Sequence, residues 1–289
     1  MNASAEGGGS PVSDNGSGWE PVAAAWERHR TRAFEFSRRS SEWLLAEARI
    51  GKEDTVLELA CGPGETGLLA AELVGPAGRV ISTDLSPTMV EAARRGARAR
   101  GLRNVETMVM DAQSLDLDDD VADAVICRLG MMFVPDPSEA FAEVRRVLRP
   151  GGRFAYTTLG SLDRNLYAGL LIQALREHGY QPVGTDPFAP GAALSLSSPE
   201  RNVELLTAAD FRDARSDLLD EAARFSDVDD YWAVRTALAG TDQVRAFVEE
   251  LGPEQVMAVR STLAELLEPF EVDGGIELPM GAVVSAATA

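Results

Sequence analysis

The residues with the most chemistry in this 289-residue chain lie in one run, Val56-Leu57-Glu58-Leu59-Ala60-Cys61-Gly62-Pro63-Gly64-Glu65-Thr66-Gly67. A short β-type stretch feeds a glycine turn that opens a helix, and glycine lets backbone approach a ligand closely because it has no Cβ. The spacing Gly62-x-Gly64-x-x-Gly67 fits a dinucleotide fingerprint, and Asp84, closing the next β-type stretch, fits an acid that holds a ribose hydroxyl. The charges point to a different ligand. A pyrophosphate wants unopposed N–H donors and positive potential at such a turn, whereas Glu58 and Glu65 bring two carboxylates to it. They suit a ligand that carries cations.

S-adenosylmethionine is such a ligand: it has a ribose, an adenine, an ammonium and a sulfonium, and no phosphate. Asp84 would accept from both ribose hydroxyls as a charged acceptor. Glu58 is expected near the ammonium end, directly or through water. A nicotinamide-dependent oxidoreductase is the alternative that the carboxylates disfavour.

Four pieces in order now carry a resemblance. They are Glu58-Leu-Ala-Cys-Gly62-Pro-Gly64, Asp84-Leu85-Ser86-Pro87-Thr88-Met89, Asp111-Ala112-Gln113, and the turn Leu148-Arg149-Pro150-Gly151-Gly152. The run from Val56 to about Thr158 resembles class I S-adenosylmethionine-dependent methyltransferases, especially the ubiquinone/menaquinone C-methylase-like branch that acts on small molecules. The resemblance implies S-adenosyl-L-methionine as cofactor. It puts Glu58, Ala60, Cys61, Gly62 and Gly64 on the methionine side, Asp84 at the ribose, and Leu85 and Met89 beside the adenine. Asp111, Ala112 and Gln113 set an acidic side chain and a backbone amide against the adenine. Cys127-Arg128-Leu129 lines the methionine half, where Arg128 either pairs with the cofactor's carboxylate or ties to Asp111 or Asp136. The departure is Ala60, where the family often has glycine; alanine costs little there if its φ is negative. A relative that keeps the pocket without methylating is a further alternative.

The elements that position these residues alternate. Thr55–Leu59, Arg79–Thr83, Val105–Met110, Ala124–Arg128 and Arg153–Thr158 read as strands. Gly67–Leu73, Ser86–Arg100 and Pro137–Leu148 read as helices between them, the second opened by a Ser-Pro cap. This rhythm means βαβ units, and the expected fold is α/β: a Rossmann-like, mostly parallel seven-stranded sheet with helices on both faces and a helical cap. Before it, residues 1–18 hold five Gly and four Ser and read as a disordered tail, and 19–50 as an N-terminal helical cover. Residues 51–160 form the cofactor-binding core. Residues 161–289 supply the rest of the sheet and a lid and helical insertions for substrate recognition. Within them Leu166–Glu177, Pro199–Ala209, Val228–Leu251 and Pro253–Leu266 read as helical, 179–199 as a lid loop, Ala214–Phe225 as a strand and Gly275–Ala289 as one or two strands.

Composition excludes several classes. The net charge of −19 leaves no basic face for nucleic acid. Lys52 is the single lysine and lies in a polar stretch, which argues against Schiff-base chemistry. Two cysteines, Cys61 and Cys127, make neither a disulfide framework nor a cysteine metal site. No signal peptide and no apolar run long enough for a membrane span is visible, so a cytoplasmic protein is expected. Residues 161–289 hold 22 acids against 9 bases, a solvated surface whose field tilts toward neutral or cationic small acceptors over anionic ones. Methyl transfer needs a base only if the nucleophile must lose a proton. His29, His178, Tyr156, Tyr167 and Tyr180 are the groups that could serve, and no motif selects one. Trp19, Trp26, Phe34, Phe36 and Trp43 read as packing for the N-terminal helices or as a wall facing the sulfonium.

Overall fold

The structure is a computed structural model that describes residues 18–183, 186–238 and 242–289. The expected tail, apart from Gly18, lies outside the described residues. Two helices come first, α1 (Glu20–Phe36) and α2 (Arg38–Glu47). Ser37 breaks them apart, its hydroxyl donating back to the Ala33 carbonyl at 3.1 Å, a local bond that competes with the helix ladder.

The alternating core follows as read: β1 (Thr55–Glu58), α3 (Glu65–Val74), β2 (Arg79–Asp84), α4 (Pro87–Ala99), β3 (Val105–Val109), β4 (Ala122–Arg128), α5 (Pro137–Val147) and β5 (Leu148–Leu159). Helix starts are marked by side chains that satisfy free N–H groups. Ser86 Oγ accepts from Met89 N at 3.1 Å ahead of α4, and Asp136 accepts from Ser138 N at 2.9 Å ahead of α5. The second half adds α6 (Leu166–Glu177), α7 (Pro199–Ala208), β6 (Arg212–Phe225), α8 (Val228–Ala237), α9 (Asp242–Glu250), α10 (Pro253–Leu267), β7 (Glu271–Val272) and β8 (Gly275–Thr288). The helical stretch expected over Val228–Leu251 is two helices, with α8 ending at Ala237.

The sheet runs β3-β2-β1-β4-β5-β8-β6, and the two-residue β7 pairs with β8 as an eighth strand. The pairings from β3 to β5 are parallel, while β8 is antiparallel to both β5 and β6. Strand order reverses at β1, so the chain leaves a crevice beyond the carboxyl ends of β1 and β4, where ligands of open α/β sheets bind. Glu58 and Arg128 close those two strands.

Alternation along the strands feeds both faces. Leu57, Val125, Phe154 and Tyr156 pack on one side with Phe141 and Leu206. Val56, Ala124, Ile126 and Ala155 pack on the other with Leu44 and Ala71. A third core lies in the cap. The last pairing of β5 with β8 is Leu159 with Ala282, but β6 and β8 stay paired out to Phe225 and Ile276. That two-stranded extension beyond the crevice carries Ala223, Phe225, Leu278 and Met280, on which Phe36, Leu171, Tyr231, Val259 and Leu263 pack. Among the described residues no helix is long and apolar enough to cross a membrane, and no cluster of metal-ligating side chains is present.

Candidate functional site

After β1 the backbone turns through left-handed φ at Ala60 (+48°), Gly62 (+51°) and Gly64 (+92°). Cys61 N donates to the Thr83 carbonyl at 2.9 Å, holding the turn over the end of β2. Gly64 has no room for more, since a Cβ there would stand 2.8 Å from that of Ala93. Gly62 is different: nothing lies within 4 Å of where its Cβ would be, so that side is open. Ala60 does not have the negative φ at which alanine would cost little. An L-residue in this region costs about 1–2 kcal/mol, so the alanine carries strain where glycine would carry none.

Glu58 lies beneath the turn, not in its mouth. Its carboxylate is 2% exposed and accepts from Gly67 N and from Ser82 Oγ, both at 2.7 Å. Burial pushes its pKa up to about 7, against the pull of those donors and of Arg128. Of the two routes expected from Glu58 to an ammonium, directly or through water, this burial disfavours the direct one. Glu58 fixes the loop and caps an N–H of the first turn of α3. Glu65 is corrected. It is buried, with Arg30 Nε at 3.2 Å and Arg100 bonded to its other oxygen, so its charge is neutralised.

Asp84, at the end of β2, accepts from Gly62 N at 2.8 Å with one oxygen and from Ser86 N at 2.9 Å with the other. Each oxygen keeps a second lone pair for another donor. Burial raises its pKa, with the Ser86 and Gly62 N–H groups acting the other way. Met110 N donates to the Asp84 carbonyl at 3.1 Å and so brings the loop after β3 beside it. In that loop Asp111 accepts from Gln113 N at 2.9 Å, while Gln113 Oε1 accepts from Asp136 N at 2.8 Å and fastens the start of α5. Ala112 and Leu85 are half-buried there and Met89 is buried.

Arg128 resolves the alternatives left by the sequence on one side. It ties to neither Asp111 nor Asp136: its Nε donates to Thr66 Oγ1 at 2.9 Å and its Nη1 to Ser37 Oγ at 2.8 Å. Phe34 lies against the guanidinium, 5.9 Å from the ring centre. No carboxylate is within ion-pair distance among the described residues.

Sequence reading expects a helical cover over 19–50 but misses the contacts that hold it. Glu20, in the first turn of α1, accepts from Ser86 Oγ at 2.6 Å and from Thr88 N at 3.3 Å, and also bonds the Thr88 hydroxyl. Trp19 meets the ring of Phe133 edge-on at 4.9 Å. Helix α1 thus lies across the crevice. The Ser86-Pro87-Thr88 cap was visible, but its acidic partner is 66 residues away, and no local signal links them. The groups weighed as bases divide. Tyr156 is buried under the sheet and donates to Asn202 at 2.8 Å, and His178 bonds Thr262 at 2.8 Å on the cap surface. His29 and Tyr167 are half-buried, and Tyr180 is buried in the cap core. Of the early aromatics, Trp43 packs on the sheet core, Phe36 belongs to the cap core, and Trp26 packs against it.

Comparison with known proteins adds to this geometry. Residues 56–152 match the family described as "Methyltransferase domain". The aklanonic acid methyltransferase DauC of Streptomyces sp. (strain C5) is 40% identical over 132 residues, 43% of this chain and 60% of that protein. The demethylmenaquinone methyltransferase of Listeria welshimeri is 35% identical over 107 residues, 37% of this chain and 45% of that protein. The matches therefore span less than two thirds of these curated relatives. Among solved structures, the YcgJ protein from Bacillus subtilis superposes with a TM-score of 0.57 at 20% identity, covering 87% of this chain and 98% of that one. It shares the fold. The residues that match the methyltransferase-domain family lie on this Rossmann-like sheet.

Proposed function

We propose that this chain is an S-adenosylmethionine-dependent methyltransferase that acts in the cytoplasm on an oxygen, nitrogen or carbon of a small molecule, in secondary metabolism or quinone-type biosynthesis. The observation that carries the reading is the Glu58 carboxylate bound to Gly67 N. In a dinucleotide site that helix start must offer its N–H groups to a pyrophosphate. Here a built-in anion already takes one of them, which speaks against a nicotinamide cofactor. The aklanonic acid and demethylmenaquinone relatives support a small acceptor of this kind.

The residues present fit the cofactor. Asp84 has free lone pairs for the two ribose hydroxyls, and the open side of Gly62 admits the ligand against the backbone of Ala60, Cys61 and Gly64. Leu85 and Met89 flank the adenine, with Asp111, Ala112 and Gln113 along its polar edge. The guanidinium of Arg128, which has no carboxylate of its own, suits the carboxylate of the amino-acid end. When bound, the cofactor supplies a methyl group on a sulfonium. The protein aligns the acceptor with it and keeps water out, which the Glu20 and Trp19 contacts of α1 serve. Residues 19–50 then act as cover, 51–160 as cofactor domain, and 161–289 as the acceptor side.

The test is calorimetric titration with S-adenosylmethionine and with NADPH, followed by incubation with methyl-labelled cofactor and a panel of phenols, amines and quinone precursors. Tight binding of S-adenosylmethionine and label transfer to one class is the expected result. Binding of the nicotinamide alone overturns the reading.

A further inference from the structure

Arg235, on α8, has no task in the cofactor site. It is 9% exposed, and its Nε is buried with no hydrogen-bond partner. Its guanidinium lies over Tyr167, 4.3 Å from the ring centre. Tyr167 stacks on Phe225 with ring centres 6.0 Å apart, and Arg32 lies over Phe225 at 5.4 Å. The stack thus has an arginine at each end, but only Arg32 is neutralised, by Asp230. Arg153, the other arginine under a tenth exposed, has Glu47 at 3.6 Å. No carboxylate lies within ion-pair distance of Arg235 among the described residues. Acids are not scarce in a chain with 46 of them.

Tyr167 and Tyr231 hydrogen-bond the Arg235 side chain but bring no carboxylate, so the buried guanidinium lacks an acidic partner, and an anion brought by a ligand has much to gain there. The location fits an acceptor. Tyr167 is on α6, which follows β5, the neighbour of β4 in the sheet. Leu129, the residue after Arg128, packs against both the sheet core and the cap core, and Tyr167 packs on the same cap core. Trp26 of α1 also packs there, and its Nε1 is a second buried donor without a partner. This part of the cap core is therefore aromatic, with two buried donors that lack partners, and the acid beside the stack, Asp230, is taken by Arg32.

We propose that Arg235 selects the methyl acceptor by pairing with a carboxylate on an aromatic acceptor, a reading that rests on the proposed methyl transfer. It runs against the tilt expected from the acidic second half. That field acts over distance and is screened beyond about 8–10 Å at ordinary ionic strength, whereas a buried guanidinium acts at contact. A bidentate arginine–carboxylate pair is among the stronger charged hydrogen bonds.

The experiment titrates 2-naphthoate and 2-naphthamide, near neutral pH, into the full chain saturated with S-adenosylhomocysteine. The acid is expected to bind about tenfold or more tightly than the amide, the scale of one charged hydrogen bond. Arg235→Met and Arg235→Gln are expected to remove that preference while leaving the affinity for S-adenosylhomocysteine unchanged. If a neutral variant fails to bind S-adenosylhomocysteine, Arg235→Lys takes its place, with a reduced preference expected. Equal affinities for the two probes in the native protein, binding of neither, or a preference undiminished in the variants overturns the inference. Failure of S-adenosylhomocysteine to bind the native chain overturns the cofactor reading instead, and the two probes titrated into the protein alone still decide Arg235.

Discussion

The Glu58 carboxylate occupies the space that a side chain at Gly67 would need: a Cβ there would stand 2.0 Å from Glu58 Oε2. The same carboxylate accepts the Gly67 N–H at 2.7 Å. Close approach of the strand end to the first turn of the helix is thus set by a missing side chain on one residue and a buried acid on the other. Gly67→Ala is expected to destabilise the fold by roughly 1–3 kcal/mol, as overpacking does. Urea unfolding measures it, and an unchanged midpoint would contradict the contact.

Glu58 also predicts a pH dependence. Its folded pKa of about 7 lies above the ordinary value of 4.5. Between those values the native state holds a proton that the unfolded chain has released. The stability linked to this group is fully present below pH 4.5 and is lost as pH rises to about 7, by on the order of 3 kcal/mol. Glu58→Gln removes the titration and keeps an acceptor for Gly67 N. The stability of the native protein relative to this variant should fall across that window; a flat difference would mean the carboxylate is solvated.

The two glycines of the turn should respond differently to alanine. At Gly62 the Cβ meets nothing within 4 Å, while at Gly64 it collides with Ala93. Gly62→Ala should fold with a cost of about 1 kcal/mol from its left-handed φ and lose affinity for S-adenosylhomocysteine. Gly64→Ala should lose stability as well. Thermal melts beside ligand titrations separate the two outcomes.

At Ala60 the change runs the other way. Its φ of +48° is strained for alanine, so Ala60→Gly should stabilise the protein by about 0.5–1 kcal/mol after the added freedom of the unfolded chain is set against the relief. A lower unfolding midpoint would show that the Ala60 methyl contributes packing that outweighs the strain.

Asp84→Ala removes the charged acceptor assigned to the ribose. The affinity for S-adenosylhomocysteine should drop by about 1.5–3 kcal/mol, roughly 10- to 150-fold. Calorimetry reads it directly, and full affinity in this variant would mean the ribose is held elsewhere.

What the sequence determined by itself was whatever rests on local physics. Alternating apolar residues such as Val56 and Leu57 feed opposite faces of a strand, the Ser86-Pro87 pair caps a helix, and Gly62 and Gly64 permit a left-handed turn. These signals act over a few residues, through backbone sterics and hydrophobic periodicity. They were enough for the α/β class and the element order, while a place for Arg128 at the cofactor was implied only by the family resemblance. Tertiary structure decided what each charge does. Glu65 looked like a second anion at the turn until Arg30 and Arg100 neutralised it. Glu58 faces inward to Ser82, and Glu20 reaches Ser86 from the far end of α1. Ala60 takes a left-handed φ because the turn around it demands one. Arg235 is left without an acid although acids abound in its half of the chain. A charge's partner depends on which distant segments the packed core brings within a few ångströms, and the strength of the pair depends on how much water that packing removes. Neither is encoded in residue type or spacing.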